Sequence, residues 1–189
     1  QKKKILVTSS IPGEGKSFVA ANLAISNSLT GKKVALIDID LHKPGLGKLF
    51  GKSTQDPGLS DYLTGKKKPE DIIKKANGYD NLYFISSGTL DDSPSELLLN
   101  GKINEFVAYL DSRFDMIIMD TAPSVLITDA FILTELCDAT IYVVRHNYTP
   151  KMLAKRIDEN LEVNPLTNPA IIFNGVKKRG FFNNNYGRS

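Results

Sequence analysis

The stretch VTSSIPGEGKS, residues 7–17, decides the fold of this chain. It follows the apolar run ILV (5–7) and precedes FVAANLAISNSL (18–29), whose apolar residues recur at helical spacing. A Gly-rich loop between a buried strand and a helix presents consecutive backbone N–H groups next to the positive end of that helix. The stretch therefore predicts a loop that binds phosphate.

Within this stretch, residues 10–17 read S-x-x-x-x-G-K-S, which is the P-loop pattern with Ser10 in place of the first glycine. Serine in place of glycine keeps the backbone amide and adds only a small side chain, so the backbone N–H groups of the loop can still bind phosphate. Lys16 is expected to reach the β/γ-phosphates of ATP or ADP, and the Ser17 hydroxyl to bind Mg²⁺. An ordinary Gly/Pro turn is the alternative, but G-K-S at a strand-to-helix junction favours the nucleotide site. The predicted nucleotide contacts are Ser10, Pro12, Gly13, Glu14, Gly15, Lys16, Ser17 and Phe18.

Short, continuously apolar runs alternate with helical patterns along the chain, as in parallel strands that are covered on both faces. The pattern predicts an α/β fold with a doubly wound, mostly parallel sheet and helices on both faces. We expect one P-loop domain over residues 1–180 and a mobile C-terminal tail over 181–189 that stops short of the natural terminus. The predicted strands are 5–9, 33–39, 82–86, 115–120, 140–145 and 170–176.

Several helix ends can be read from the sequence. Lys16–Leu29 is followed by Gly31 at the position of a C-terminal glycine cap. SPSE (93–96) forms a capping box with a proline at the first helical position, and Thr149 with Pro150 predicts a similar start. Two short helices, LSDYL (59–63) and PEDIIKKA (69–76), are expected in the irregular region.

Composition narrows the possible classes of protein. The chain has 189 residues, a net charge of +3 and no basic stripe interleaved with aromatics, so we expect no nucleic-acid partner. Cys137 is the only cysteine, which excludes a disulfide framework within the chain and favours a buried structural thiol. No apolar run is long enough to span a membrane, and Gln1 in place of Met indicates a part of a longer protein.

Acidic residues follow two of the predicted strands. Asp120 comes after MIIM (116–119), as a Walker B aspartate would, although a strand-end aspartate that caps a turn has the same form. Asp38 and Asp40 end the second strand and share one face of it. Two close carboxylates need a cation or a proton between them. An acidic residue here could bind a dinucleotide ribose, but G-K-S in place of G-x-G-x-x-G argues against NAD. The pair therefore indicates metal and base chemistry.

Three motifs, SSIPGEGKS (9–17), ALIDIDLHKP (35–44) and IIMDTAP (117–123), resemble those of the bacterial tyrosine kinases. SSGTLDDSPSELL (86–98) and TDAFIL (128–133) also resemble that family. The resemblance implies a fold related to ParA/MinD ATPases and an ATP-dependent tyrosine autokinase that regulates capsule and exopolysaccharide assembly. It implies that Asp120 holds Mg²⁺ through water, that Asp40 assists at the metal, and that Asp38 is the base for the tyrosine hydroxyl.

The resemblance also implies partners and a location. Members are activated by a transmembrane segment, fused or separate, assemble as homo-oligomeric rings, and lie at the cytoplasmic face of the bacterial inner membrane. They phosphorylate tyrosines in a C-terminal tail, where this chain offers Tyr186. The helix with the ring-forming motif would precede the first strand and is not within these residues. His42 stands where the family has Arg.

Other functions remain open on the sequence alone. A ParA/MinD-like ATPase would carry a signature lysine where this chain has Ile11, and a GTPase would carry an N-K-x-D motif, which FNGVKK (173–178) lacks. A non-catalytic adaptor that binds ATP is the third alternative. Asn174 is expected either to contact the adenine or to satisfy a turn. Arg145 and His146 are interpreted as polar residues at a strand end.

Overall fold

A seven-stranded sheet forms the centre of the molecule in the computed structural model, which describes residues 3–51, 56–89, 94–123, 133–155, 157 and 166–176. The strand order is β3-β4-β2-β5-β1-β6-β7. All pairs are parallel except β3 with β4. The strands are β1 (Lys4–Ser9), β2 (Val34–Asp38), β3 (Lys74–Lys75), β4 (Leu82–Ile85), β5 (Met116–Asp120), β6 (Ala139–Arg145) and β7 (Pro169–Asn174).

Helices cover both faces of this sheet, as the sequence predicts. The helices are α1 (Lys16–Leu29), α2 (Leu46–Leu49), α3 (Leu59–Leu63), α4 (Pro69–Ile72), α5 (Pro94–Leu99), α6 (Lys102–Asp111) and α7 (Lys151–Lys155). On one face, Ala20, Ala21 and Ala24 of α1 form a core cluster with Leu36 and Ile118 of the central strands. On the other face, residues of α3, α5 and α6 pack against the opposite side of the same strands. The doubly wound α/β prediction is confirmed.

The central strands are apolar along their whole length because both of their faces are covered. All residues of β2 and β5 are buried, and the two strands run in register with Leu36 beside Ile118 and Asp38 beside Asp120. The carboxyl ends of β1, β2 and β5 therefore meet at one edge of the sheet. In a sheet of this kind, ligands bind outside the carboxyl ends of the strands.

Helix α1 spans the predicted residues and ends as expected. Thr30 follows it, and Gly31 has a φ of +88° while its N–H donates to the Ser28 carbonyl. This is the left-handed glycine that closes many helices. The helix predicted to start at SPSE (93–96) is α5, which begins at Pro94 as expected. Its predicted cap, Ser93, lies outside the described residues.

Two local predictions are wrong. PEDIIKKA is not one helix, because α4 ends at Ile72 and Lys74–Lys75 pair with β4 as an antiparallel edge strand. The open edge of β4 offers ladder hydrogen bonds that outweigh the helical preference of a short segment. The Thr149 hydroxyl does not cap α7 in the manner predicted: it accepts a hydrogen bond from the Arg145 N–H and donates to Glu14.

Cys137 has the structural role predicted from the sequence. Its side chain is buried, and its thiol donates to the Leu133 carbonyl at 3.1 Å. Burial is the main cause that raises the pKa of the thiol to about 12, so Cys137 is not a nucleophile at neutral pH.

Among the helices of the described ranges, none combines the length and the hydrophobicity that a bilayer crossing requires.

Candidate functional site

The loop between β1 and α1 has the backbone geometry that the sequence predicts. Gly13 and Gly15 have φ values of +88° and +97°, and Gly15 directly precedes the first turn of α1. A Cβ at Gly13 would lie 2.5 Å from the Tyr148 hydroxyl, and one at Gly15 would lie 2.1 Å from Asn174 Nδ2. Both positions therefore require glycine on conformational and on steric grounds.

This loop opens onto a cleft of about 620 Å³. The size is that of a small-molecule site. Ser17, His42 and Lys43 are among its lining residues, so the position at which the family carries Arg faces the cleft. The full lining is Pro12, Gly13, Gly15, Lys16, Ser17, Asp40, His42, Lys43, Ala122 and Pro123.

Four predicted residues of the nucleotide site are not among these lining residues: Ser10, Glu14, Phe18 and Asn174. Phe18 is 60% exposed and lines a separate hollow together with Leu49 of α2 and Tyr79. The Ser10 hydroxyl pairs with the Tyr142 hydroxyl at 3.0 Å. Glu14 is fully buried, and its carboxylate accepts the Ile11 N–H at 2.8 Å. Any contact of Ser10, Glu14 or Phe18 with a nucleotide would therefore come from their backbone N–H groups.

Three carboxylates and one lysine meet at the base of the cleft. Asp38, Asp40 and Asp120 are at most 4% exposed, although Asp is among the residue types that proteins rarely bury. Lys16 Nζ lies 3.3 Å from an Asp40 oxygen and 3.7 Å from an Asp120 oxygen. The structure thus brings together the residues that the sequence predicted for metal and base chemistry.

The hydrogen bonds of the carboxylates differ. Asp40 accepts the Lys43 N–H at 2.9 Å and also lines the cleft. Asp38 accepts the Leu46 N–H at 3.2 Å through Oδ2, and its Oδ1 is buried without a hydrogen-bond partner. Neither oxygen of the buried Asp120 accepts a hydrogen bond of ordinary geometry, but Lys16 and the Ser17 side chain both face this carboxylate. Buried oxygens that lack partners are costly, so this arrangement favours an added cation.

The electrostatics of this cluster follow from burial and from the shared negative charge. Burial, followed by the neighbouring Asp120 and Asp40, raises the pKa of Asp38 to about 8. Burial raises the pKa of Asp120 to about 6, and the nearby Lys16 limits that rise. A divalent cation would favour the ionised form of both residues.

The residues fit Mg²⁺ better than they fit a metal centre built entirely from protein. No cluster of three or more His, Cys, Asp or Glu that could hold an ion occurs in the described part of the chain. Mg²⁺ keeps several waters and uses one or two carboxylates together with substrate phosphates. Ser17 and Asp40 at the cleft, with the orphaned oxygens of Asp120 beneath, match that set of donors.

The ends of β6 and β7 contact the phosphate loop, which the sequence did not reveal. Arg145 donates to the Gly13 carbonyl at 2.7 Å, so it has more than the strand-end role predicted for it. Asn174 donates to the Glu14 carbonyl at 2.9 Å. His146 stacks edge-on against Phe173, as suits a residue outside the site. Tyr148, which no sequence motif singled out, lies in the turn after β6, and Thr149, which was predicted only as a helix cap, lies in the same turn.

Some predicted features lie outside the described residues. These are Tyr186 with the rest of the tail, and TDAFIL apart from its last residue.

Comparisons with known proteins agree with this geometry. The ParA family model, described as NUBPL iron-transfer P-loop NTPase, matches residues 1–144. The tyrosine-protein kinase CpsD of Streptococcus pneumoniae is 33% identical over 98% of this chain and 84% of its own length. The kinase domain of the Escherichia coli tyrosine kinase ETK superposes with a TM-score of 0.87 at 28% identity, covering 100% of this chain and 73% of that one.

Other relatives are much longer than this chain. The tyrosine-protein kinase wzc of Salmonella typhimurium is 32% identical over 99% of the chain but only 26% of its own length. The chain likewise spans about a quarter of the length of several further curated relatives, at 25% each. With a P-loop, paired aspartates after β2 and a buried aspartate after β5, the chain belongs to the bacterial tyrosine kinase family, within the ParA class of P-loop NTPases.

Proposed function

We propose that this chain is the catalytic domain of an ATP-dependent protein-tyrosine autokinase that regulates the synthesis and export of capsular polysaccharide or exopolysaccharide. The observation that carries the proposal is the buried pair Asp38 and Asp40 beside Lys16 and Asp120. Binding of a Mg-nucleotide needs a phosphate loop and a metal-binding carboxylate. A further carboxylate beside the phosphates could accept the proton of an attacking hydroxyl, as phosphoryl transfer to tyrosine would use.

The mechanism we propose is in-line transfer of the ATP γ-phosphoryl group to a tyrosine oxygen. The loop amides and Lys16 hold the phosphates and neutralise charge, so catalysis rests on positioning and electrostatics. Ser17, Asp40 and Asp120 would hold Mg²⁺, Asp120 through water. When bound, Mg²⁺ supplies neutralisation of the charge on the phosphate oxygens.

Asp38 is our proposed base for the tyrosine hydroxyl, but it is covered in this structure by the segment that begins α2. It is 1% exposed and its Oδ2 is occupied by the Leu46 N–H at the start of α2. A tyrosine can reach Asp38 only if this segment moves. Asp40, which lines the cleft directly, is the second candidate base.

The partners follow the family. We propose that a transmembrane activator segment, fused or separate, switches on the kinase, that copies of the protein assemble as a ring, and that the domain works at the cytoplasmic face of the bacterial inner membrane. Tyr186 is the proposed phosphate acceptor. The length of the wzc-type relatives supports a fused or separate membrane component.

A ParA/MinD-like ATPase, or an adaptor that only binds ATP, is the alternative. The ParA family model favours the ATPase fold, and Ile11 in place of the signature lysine disfavours that class of ATPase. Phosphotyrosine formation separates the two alternatives from the kinase.

The test is incubation with Mg-ATP and the activator segment, followed by mass spectrometry for phosphotyrosine. We expect phosphate on Tyr186, none with Lys16→Met, and loss of transfer with retained ATP binding for Asp38→Asn. ATP hydrolysis without phosphotyrosine would favour the ATPase. Full kinase activity of Asp38→Asn would move the base to Asp40, which Asp40→Asn then tests.

A further inference from the structure

Three successive carbonyl groups of the phosphate loop are each held by one side chain. The Tyr148 hydroxyl donates to the Pro12 carbonyl at 3.0 Å, and Arg145 Nη1 donates to the Gly13 carbonyl at 2.7 Å. Asn174 Nδ2 donates to the Glu14 carbonyl at 2.9 Å. Arg145 and Asn174 are the last residues of β6 and β7, Tyr148 lies in the turn after β6, and none of the three is among the residues that line the cleft.

Peptide geometry converts these contacts into a direction for the amides. In a planar trans peptide, the C=O of one residue and the N–H of the next point in opposite directions, and the described residues contain no cis peptide bond. Holding the carbonyls of residues 12, 13 and 14 from behind therefore directs the N–H groups of Gly13, Glu14 and Gly15 to the other side. Consecutive N–H groups that point the same way form an anion-binding nest.

Steric closure of the rear side supports the same geometry. The positions that a Cβ would take at Gly13 and Gly15 lie 2.5 Å from the Tyr148 hydroxyl and 2.1 Å from Asn174 Nδ2. The loop is packed so tightly against these two side chains that it cannot tilt backward. The open side of Gly13 and Gly15 is the cleft.

The buried Glu14 side chain links the loop to the turn that carries two of the donors. Its carboxylate accepts the Ile11 N–H at 2.8 Å and the Thr149 hydroxyl. The Thr149 oxygen in turn accepts the Arg145 N–H at 2.8 Å. The turn that follows β6 is thereby fixed relative to the loop.

We propose that Tyr148, Arg145 and Asn174 are positioning residues, each of which aligns one phosphate-binding amide: Gly13, Glu14 and Gly15, respectively. None of the three needs to touch the nucleotide. The inference rests on the proposed function only in that the site takes a Mg-nucleotide, and it makes Asn174 a support of the loop and not a contact for adenine.

The test compares two ligands by calorimetry: Mg-ADP, which carries a base, and inorganic pyrophosphate with Mg²⁺, which does not. The variants are Tyr148→Phe and Asn174→Ala. The first removes one hydroxyl, and the second removes the donor to the Glu14 carbonyl together with the oxygen that accepts the Gly175 N–H, without adding a charge beside the loop. Each variant should raise the Kd of both ligands by the same factor, about 3- to 10-fold, as expected for the loss of one hydrogen bond.

The matched control is Met152→Ala, because Met152 lies on α7 close to the same turn and is 62% exposed. It should change neither affinity. Circular dichroism and thermal unfolding without ligand check that each variant is folded, and Tyr148→Phe keeps the test valid if Asn174→Ala does not fold.

Each outcome decides between the hypotheses. Loss of Mg-ADP affinity with unchanged pyrophosphate affinity would show that Asn174 contacts the base and would overturn the inference, as would unchanged binding of both ligands. Wild-type protein that binds Mg-ADP but forms no phosphotyrosine contradicts the kinase proposal and leaves this inference standing. Wild-type protein that binds neither ligand overturns both.

Discussion

At the scale of single residues, the site is a cluster of charges that the ligand-free protein compensates only in part. Lys16 is within salt-bridge distance of Asp40 and Asp120, while Asp38 has one buried oxygen without a hydrogen-bond partner. The pKa of Asp38 rises to about 8 because an ionised carboxylate is costly in this surrounding. These buried charges therefore lower the free energy of unfolding, and they lie where the phosphates and their cation would bind.

This cost predicts that Asp38→Asn stabilises the ligand-free protein at high pH. The pKa of Asp38 is about 8 in the folded protein and has the ordinary Asp value of 3.8 in the unfolded chain, so the folded protein binds an extra proton between these pH values and loses stability as pH rises through them. Asn carries no such cost. At about pH 8.5 the melting temperature should rise by at least about 3 °C, the shift that 1 kcal/mol gives in a domain of this size.

The control for this prediction is the pH dependence itself. Below about pH 3 Asp38 is neutral in both the folded and the unfolded state, because the ordinary pKa of Asp is 3.8, and the gain should vanish. Asp115→Asn, at an exposed position that accepts the Lys33 N–H, should change little at either pH. A gain of equal size at both pH values would contradict the charge explanation.

Part of this cluster could be predicted from the sequence. Parallel strands end at one edge, so Asp38 and Asp120 could be expected at the same edge of the sheet, but only the structure shows that β2 and β5 are adjacent and that the two residues lie side by side. The burial of Asp38 could not be predicted, because its cover is the four-residue helix α2, which is too short for a periodic signal. The contacts of Arg145 and Asn174 depend on the positions of β6 and β7 in the sheet beside β1. The identity of a residue at the end of a strand does not reveal that position.

At the scale of elements, long apolar runs were predicted well, and short segments were decided by tertiary contacts. Helix α1 and the central strands carry enough periodicity or length to be recognised alone. Strand β3 forms because β4 has an open edge with which it can pair. The conformational preferences of the residues in β3 do not predict this pairing. Helix α3 was predicted, but its attachment to the loop after β4 was not: Asp61 accepts the Gly58 N–H at 2.9 Å and the Thr89 hydroxyl at 3.0 Å.

This attachment predicts that Asp61→Ala destabilises the protein by about 2 to 3 kcal/mol, since the change removes a helix cap and leaves the buried Gly58 N–H without its acceptor. Asp71 is the matched control. It caps α4 in the same way, accepting the Lys68 N–H at 3.1 Å, but it lies at an exposed position. Asp71→Ala should cost about 0.5 to 1 kcal/mol, measured as the free energy of unfolding in urea. Equal losses would show that the contact with Thr89 adds nothing.

At the scale of the whole molecule, the site is assembled from five strands of one sheet. The phosphate loop follows β1, the carboxylates follow β2 and β5, and the residues that hold the loop from behind come from β6 and β7. The sequence order scatters these segments, and the parallel sheet gathers them at one edge. Because the site spans most of the sheet, ligand binding should couple to the stability of the whole domain.

The coupling predicts that Mg-ADP stabilises the protein more strongly as pH rises. Without ligand, ionisation of Asp38 and Asp120 in the folded state is costly, and a bound cation removes much of that cost. At a fixed ligand concentration of about 100 times the Kd at pH 7, the stabilisation at pH 7 is about 2.7 kcal/mol, and at the same concentration the rise in melting temperature should be larger at about pH 8.5. Asp38→Asn serves as the control: it should retain only the part of the pH dependence that arises from Asp120 and from the nucleotide's own titration. If wild type and Asp38→Asn show the same pH dependence in scanning calorimetry, Asp38 does not share in the binding of the cation.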